Sequence, residues 1–377
     1  MSSPPAAQVG EDRVVARHRV DSLTGVRGVA ATLVVLTHAA YTTGHYTHGY
    51  GGLVLARMEI GVPMFFVLSG FLLFTPWVRA AESDSSWPSV RRYAWHRVRR
   101  IMPAYVVTVL IAYAIYHFRV AGPNPGHTWI GFLRNITLTQ IYTDHYAYKY
   151  LHQGMTQMWS LAVEVSFYVA LPALAWLLLT VLCRSRWQPR LLVAGILALT
   201  LVSPAWLVLV HTTHFLPDGA RLWLPTYLVW FLGGMLLAAL RPMGVQAYAA
   251  VCLPLALICI LIVSTPIAGA PTTSPAALRE GLSKAVFYGV IATLAVAPLA
   301  LGNRGWYARL LSSGPMVFLG EISYEIFLIH LVTMELVMVE ILGFHIYTGS
   351  WIALFVVTMA VTIPLAWLLH RFTRVKS

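Results

Sequence analysis

Ten apolar stretches, each long enough to cross a lipid bilayer as a helix, divide this 377-residue sequence. They cover about 24–42, 60–78, 103–119, 156–182, 191–211, 222–240, 246–265, 284–301, 315–341 and 351–370. A helix rises about 1.5 Å per residue, so about 20 apolar residues match a hydrocarbon core about 30 Å thick. Inside that core every backbone amide must bond internally, which leaves helices or closed barrels. Long continuous apolar runs, rather than short alternating ones, select helices. The expected fold is all-α, a polytopic integral membrane bundle of about ten transmembrane helices. Composition agrees: 11% of residues are charged and mean hydropathy is +0.70, whereas soluble domains carry about 25% charged residues.

An even number of spans returns both termini to one side. Eighteen Lys and Arg residues fall on that side, seven fall on the other, and Arg27 sits at the membrane border. Basic residues collect in cytoplasmic loops, so both termini are expected in the cytoplasm. The net charge of +12 then reflects topology, and no nucleic-acid partner is expected. Residues 1–20 read as a disordered basic cytoplasmic tail, without a cleavable signal, and 21–377 as one transmembrane domain. Cys183, Cys252 and Cys259 lie in or beside apolar segments and signal neither a disulfide framework nor a zinc site; no metal is expected. The Asn135-Ile-Thr137 sequon reads as coincidence. Between spans three and four, Tyr142, His145, Tyr146, Tyr148, Tyr150 and His152 read equally as an interfacial aromatic belt or as a platform for a sugar or lipid headgroup.

Polar residues inside such spans are expensive and usually face a cavity. Arg27 and His38 lie eleven residues apart on the first span, nearly one helical face and about 16 Å. A cation near one surface and an imidazole deep in the bilayer suit an anionic headgroup with a long arm, the shape of coenzyme A. By helical rise, His38, Glu164 and His330 reach a similar depth, about 18–22 Å from the cytoplasmic face. His38 is the expected general base, since neutral imidazole accepts a hydroxyl proton near pH 7. Its alternative is a buried histidine satisfied by a carbonyl. Glu164 is expected to orient the other ring nitrogen of His38, or else to make a structural helix–helix hydrogen bond. His330 is expected to support rather than catalyse.

Arg97 and Arg100, one turn apart at the start of the third span, can face one anion, and guanidinium forks suit phosphates. Arg91, Arg92 and Arg99 read as topology charges. Ser69-Gly70 suits close helix packing or the lining of a tunnel, and Glu59 an interfacial charge or an acceptor contact.

Five segments resemble, in order, the acyltransferase-3 family of integral membrane O-acyltransferases. They are Arg27 to His38 with ten residues between, Gly61-Val-Pro-Met-Phe-Phe-Val-Leu-Ser-Gly70, Arg97-Val-Arg-Arg100-Ile-Met-Pro103, Trp159-Ser-Leu-Ala-Val-Glu164 with Phe167-Tyr168, and Ser323-Tyr-Glu-Ile-Phe-Leu-Ile-His330. The resemblance implies transfer of an acyl group, usually acetyl, from cytoplasmic acyl-CoA to a hydroxyl on an extracytoplasmic carbohydrate or glycolipid. It implies a multi-pass protein of the bacterial inner membrane, with acetyl-CoA as donor on Arg27, Arg97, Arg100 and Ser69. Glu59, Trp159, Ser160, Tyr324 and His330 become acceptor-contacting or supporting residues. A trehalose mycolate and a macrolide are both candidate acceptors, and a proton-coupled transporter using Glu164 and His38 is the rival class. Glu325 departs from the family pattern; pairing with Arg27 is one expectation for it, and Glu335 has none. Nothing in the sequence sets the oligomeric state.

Overall fold

The computed structural model describes the backbone of residues 6–119, 123–144, 151–213, 215–269, 277–302 and 305–374, with side chains from residue 21. Among the described residues the regular structure is entirely helical. In chain order the helices are α1 (Ala6–Thr42), α2 (Gly49–Ala56), α3 (Gly61–Glu82), α4 (Val90–Phe118), α5 (Trp129–Ile136), α6 (Met158–Ala175), α7 (Pro189–Leu199) and α8 (Val202–Thr212). There follow α9 (Leu224–Leu240), α10 (Ala249–Val263), α11 (Leu278–Ala300), α12 (Trp306–Leu311), α13 (Gly314–Glu321), α14 (Ser323–Leu336) and α15 (Trp351–Thr373). The side chains of the expected tail, 1–20, lie outside the described residues, and α1 is helical from Ala6.

Each of the ten apolar stretches falls on helix. Eight form helices, or joined runs of helix, long and apolar enough to cross a membrane. A ninth is the pair Gly314–Glu321 and Ser323–Ile341, bent by 69°. The tenth corrects the expectation, because α10 has 15 residues, about 22 Å of rise and short of a full core. Its ends explain the shortening. Tyr248 is extended (φ −107°, ψ 131°), while Thr265 accepts from the Ile267 amide and Pro266 opens a separate 3₁₀ turn. The third span also starts earlier than its apolar run: Ser89 Oγ caps α4 by accepting from the Arg92 amide, so Arg97 and Arg100 ride on continuous helix.

Close backbone approach holds the bundle. A Cβ on Gly70 would strike the Phe231 backbone, and one on Gly234 the Val67 backbone, so α3 and α9 touch along small residues. Gly25 and Gly320 bring α1 against α12 and α13 in the same way. In lipid such packing, rather than hydrophobic burial, drives helix association. Phe66, Phe231 and Phe167 stack in series at 4.2 and 4.0 Å, tying α3, α9 and α6 together, each pair contributing about 0.5–1.5 kcal/mol beyond its buried area.

Candidate active site

Two cavities lie along the same helices. The first, about 180 Å³, is lined by Arg27, Arg97, Arg100, Ser69, Glu164 and Tyr324 among others. The second, about 570 Å³, is lined by His38, Glu59, Trp159, Tyr227, Lys284 and Tyr288 among others. Val62 and Phe327 line both. Direction along the helices separates the two. α1 gives Arg27 to the arginine cavity and, further along, Val34 to Tyr41 to the histidine cavity, whereas α3 and α6 run the other way, with Val62, Pro63 and Trp159 at their starts on the histidine side and Ser69, Glu164 and Tyr168 further along on the arginine side. The cavities therefore lie toward opposite ends of the bundle and meet at Val62 and Phe327.

The geometry of the histidines fixes their protons. His38 Nδ1 lies 2.7 Å from the Val34 carbonyl, which can only accept, so Nδ1 carries the hydrogen and Nε2 is left as a lone pair. His330 Nδ1 is held likewise, 2.8 Å from the Phe327 carbonyl and 3.2 Å from that of Ile326. Its Nε2 is therefore an acceptor, and it stands 3.2 Å from His38 Nδ1. The two rings, with centroids 5.0 Å apart, form a relay of one orientation: the His330 lone pair takes a share of the His38 Nδ1–H, and His38 Nε2 has no hydrogen-bond partner among the described residues. His330 is fully buried. Gln157 Nε2 donates to the Phe327 and Leu328 carbonyls and braces the turn that carries it.

Glu164 stands elsewhere than expected. Rather than meeting His38, its Oε1 accepts from Ser69 Oγ and, at 2.6 Å, from the Tyr168 hydroxyl, inside the arginine cavity. Glu164 shares a cavity with Arg27, Arg97 and Arg100 rather than the level of His38, on the face of α6 that also carries Ser160 and Tyr168. The Ser69 bond also joins α3 to α6, the helix–helix role set out as the alternative. Glu325 is 6% exposed and bonds His370 Nδ1 at 2.9 Å, in place of the expected Arg27. Glu335 gains an account: it accepts from the Tyr116 hydroxyl and lies 3.6 Å from Arg119 Nε. Glu59 accepts at one oxygen from Lys284 Nζ at 2.6 Å and from the Tyr288 hydroxyl at 2.7 Å.

Trp159 and Ser160, adjacent in sequence, face different cavities. Trp159 packs on Tyr227 at 4.9 Å in the larger, and Ser160 lines the smaller. Tyr324 lines the smaller one too, its hydroxyl donating to the Ile101 carbonyl at 3.0 Å. Of the Tyr- and His-rich loop, His145, Tyr146, Tyr148 and Tyr150 lie outside the described residues. His152 is fully buried against Tyr113, and burial with neighbouring His127 lowers its pKa to about 3, so it is structural and neutral. Asn135 is fully buried as well. Sequence reasoning missed Lys284, Tyr288, Tyr227 and Trp230. Lys284 and Tyr288 share a helical face by their spacing, but a lysine at a span border is ordinarily a snorkelling charge.

The arginine cavity fits an anion. Its lining holds three guanidinium groups against one carboxylate, Glu164, and Arg97 Nε is buried without a hydrogen-bond partner among the described residues. Its volume of about 180 Å³ suits an anion of phosphate size.

Comparison with known proteins agrees with this architecture. The chain is similar to the peptidoglycan O-acetyltransferase OatA of Listeria monocytogenes, 24% identical over 94% of this chain and 55% of that protein. It is similar to the O-acetyltransferase OatA of Staphylococcus aureus, 20% identical over 82% of this chain and 49% of that protein. A putative O-acetyltransferase of S. aureus is 22% identical over 94% and 56%. The chain thus spans about half the length of these curated relatives. No solved structure matches. The sequence profile described as an acyltransferase domain matches residues 20–371, nearly the whole chain, and the protein belongs to the acyltransferase-3 family.

Proposed function

We propose that this protein is a membrane O-acetyltransferase of the bacterial plasma membrane, with both termini in the cytoplasm. It moves an acetyl group from cytoplasmic acetyl-CoA to a hydroxyl of a carbohydrate or glycolipid on the outer side. The names of the relatives favour an envelope glycan as acceptor; a trehalose mycolate belongs to the same glycolipid class. One observation carries the reading: His38, with Nε2 free and Nδ1–H held, stands in a cavity that abuts the arginine cavity across Val62 and Phe327. A proton acceptor and an anion site meet with one layer of side chains between them.

Arg27, Arg97 and Arg100 bind the phosphates of the donor from the cytoplasmic side. Acetyl-CoA supplies an activated thioester. His38 Nε2 takes the hydroxyl proton of the acceptor, its C–O bond to the acyl carbon forms, the C–S bond breaks, and His38 returns the proton to the departing sulfur. His330 steadies the imidazolium by accepting from Nδ1–H, the part a carboxylate plays in a triad. Ser69 and Tyr168 hold Glu164 among the arginines, where its charge trims the net positive potential.

The test is purified protein in nanodiscs with acetyl-CoA and envelope glycans, read as free thiol release and as ester by mass spectrometry. Ester formation that depends on both substrates is expected. Transport of the glycan across proteoliposomes with no ester formed would replace this reading with that of a carrier.

A further inference from the structure

The transfer step makes an imidazolium of His38, and His330 has only a neutral lone pair to set against it. A cation formed inside a membrane bundle calls for a counter-charge, and Glu164 lies in the other cavity. Glu59 lines the same cavity as His38. The segment that carries it runs along α1. At one end Thr37 Oγ1 donates to the Ala56 carbonyl at 3.2 Å; at the other a Cβ on Gly61 would strike the Ala30 carbonyl and the Val34 side chain. Glu59 lies between these anchors and so beside the turn Val34–His38. Arg57, fully buried, pins the segment by donating to the Val263 and Gly269 carbonyls at 3.0 and 2.8 Å. Lys284 Nζ and the Tyr288 hydroxyl both hold Glu59 Oε1. Its Oε2 takes no hydrogen bond among the described residues and is not buried, in a side chain that is 39% exposed. His38 Nε2 is open in the same way.

We propose that Glu59 is a positioning residue for the reaction, an ionised carboxylate that serves as the counter-charge of His38 while the imidazole holds the proton. Lys284 and Tyr288 fix its place, and Oε2 stays a carboxylate oxygen throughout. The proton passes from the acceptor hydroxyl to His38 Nε2 and on to the departing sulfur. Among the described charged groups Glu59 is the one whose field acts on His38. The other titratable groups around the imidazole are His330 of α14, Tyr46, whose hydroxyl bonds Thr37, Tyr41 of α1 itself, Tyr227 of α9, His211 of α8, and Arg221, which pairs with Asp218. α3 presents Val62 and Pro63 there, and α15 meets α1 in an apolar cluster with Ala31, Val35 and Ala39. None of these supplies a second carboxylate. The role in catalysis rests on the transfer reading above; the coupling of Glu59 to His38 does not.

The experiment follows thiol release from acetyl-CoA and envelope glycans against pH in nanodiscs. Beside it runs the modification of His38 by diethyl pyrocarbonate, which attacks neutral imidazole, read site by site by mass spectrometry. Glu59→Gln keeps an acceptor for Lys284 and Tyr288 but loses the charge that favours the imidazolium. It should move the acid limb of both profiles down by about one pH unit and lower kcat more than it changes the acceptor KM. Glu59→Asp should restore most of both. Lys284→Gln leaves the carboxylate unopposed and should move the limb up. Helical circular dichroism confirms that each variant is folded, and Lys284→Gln serves where Glu59→Gln is not. A merely structural ion pair moves neither limb, so unmoved limbs in the folded variants would overturn the proposal. His38 modification that follows Glu59 without any thiol release leaves the coupling standing and removes acyl transfer. Thiol release whose acid limb ignores Glu59 removes the coupling alone.

Discussion

The two cavities are chemical opposites cut from the same helices. The smaller gathers three guanidinium groups against a single carboxylate. In the larger the one ammonium group, that of Lys284, is already neutralised by Glu59, and rings dominate the wall. Neighbouring residues divide between them, Ser160 to one and Trp159 to the other, since one step along a helix turns about 100°. The contrast teaches that one bundle can hold a cationic pocket and an aromatic one side by side without mixing their environments. A cation on the aromatic side needs its own counter-ion, and each has one: Lys284 is paired with Glu59 and Arg221 with Asp218.

That division of labour can be broken in four ways, here from the largest expected effect to the smallest. His38→Ala should lower turnover about 10²–10⁴-fold, the usual worth of a general base, with donor binding preserved; near-normal thiol release would remove His38 from the chemistry. Arg97→Ala should weaken coenzyme A binding roughly tenfold to a hundredfold, for a lost charge-assisted contact of about 1.5–3 kcal/mol. Its effect should be larger at low salt than at high salt, measured by titration at two ionic strengths. Glu164→Gln keeps groups able to bond Ser69 and Tyr168, and it should change turnover by less than about tenfold while leaving the pH–rate profile in place. A displaced acid limb would show that Glu164 does act on His38 and that the cavities are coupled. Arg91→Ala, on the same basic stretch but exposed, should alter coenzyme A affinity by less than about twofold. A loss equal to that of Arg97 would dissolve the arginine cavity into a diffuse electrostatic patch.

Span placement was legible because backbone desolvation in lipid punishes any alternative to a long apolar helix. α10 escaped because its length is set by extended Tyr248 and by the Thr265–Pro266 turn, local events inside an unbroken apolar run. The common level of His38 and His330 was legible too, since helical rise is fixed, and the two do meet. The level and facing of Glu164 were not. The spacing of Ser160, Glu164 and Tyr168 marks a common face, but which helix that face meets depends on how α3 and α6 rotate against each other. Gly70 and Gly234 set the α3–α9 contact, and no periodicity within α6 reports it. Lys284 and Glu59 were hidden for a similar reason: they lie more than 200 positions apart, and each alone looks like a border charge.

Val62 and Phe327 belong to both cavities, and Phe327 meets Phe65 edge to face at 6.3 Å. In a living membrane this layer is also an electrical septum. A potential of 100 mV is worth about 2.3 kcal/mol per elementary charge, and with polar cavities on either side most of that drop is concentrated on a few apolar side chains. In the proposed reaction the nucleotide charges stay on one side of the septum and the acyl group that passes is neutral, so turnover does no work against the field. Trimming Phe327 to a small residue would open the same septum to protons, and the cost would be read in membrane potential before it was read in product.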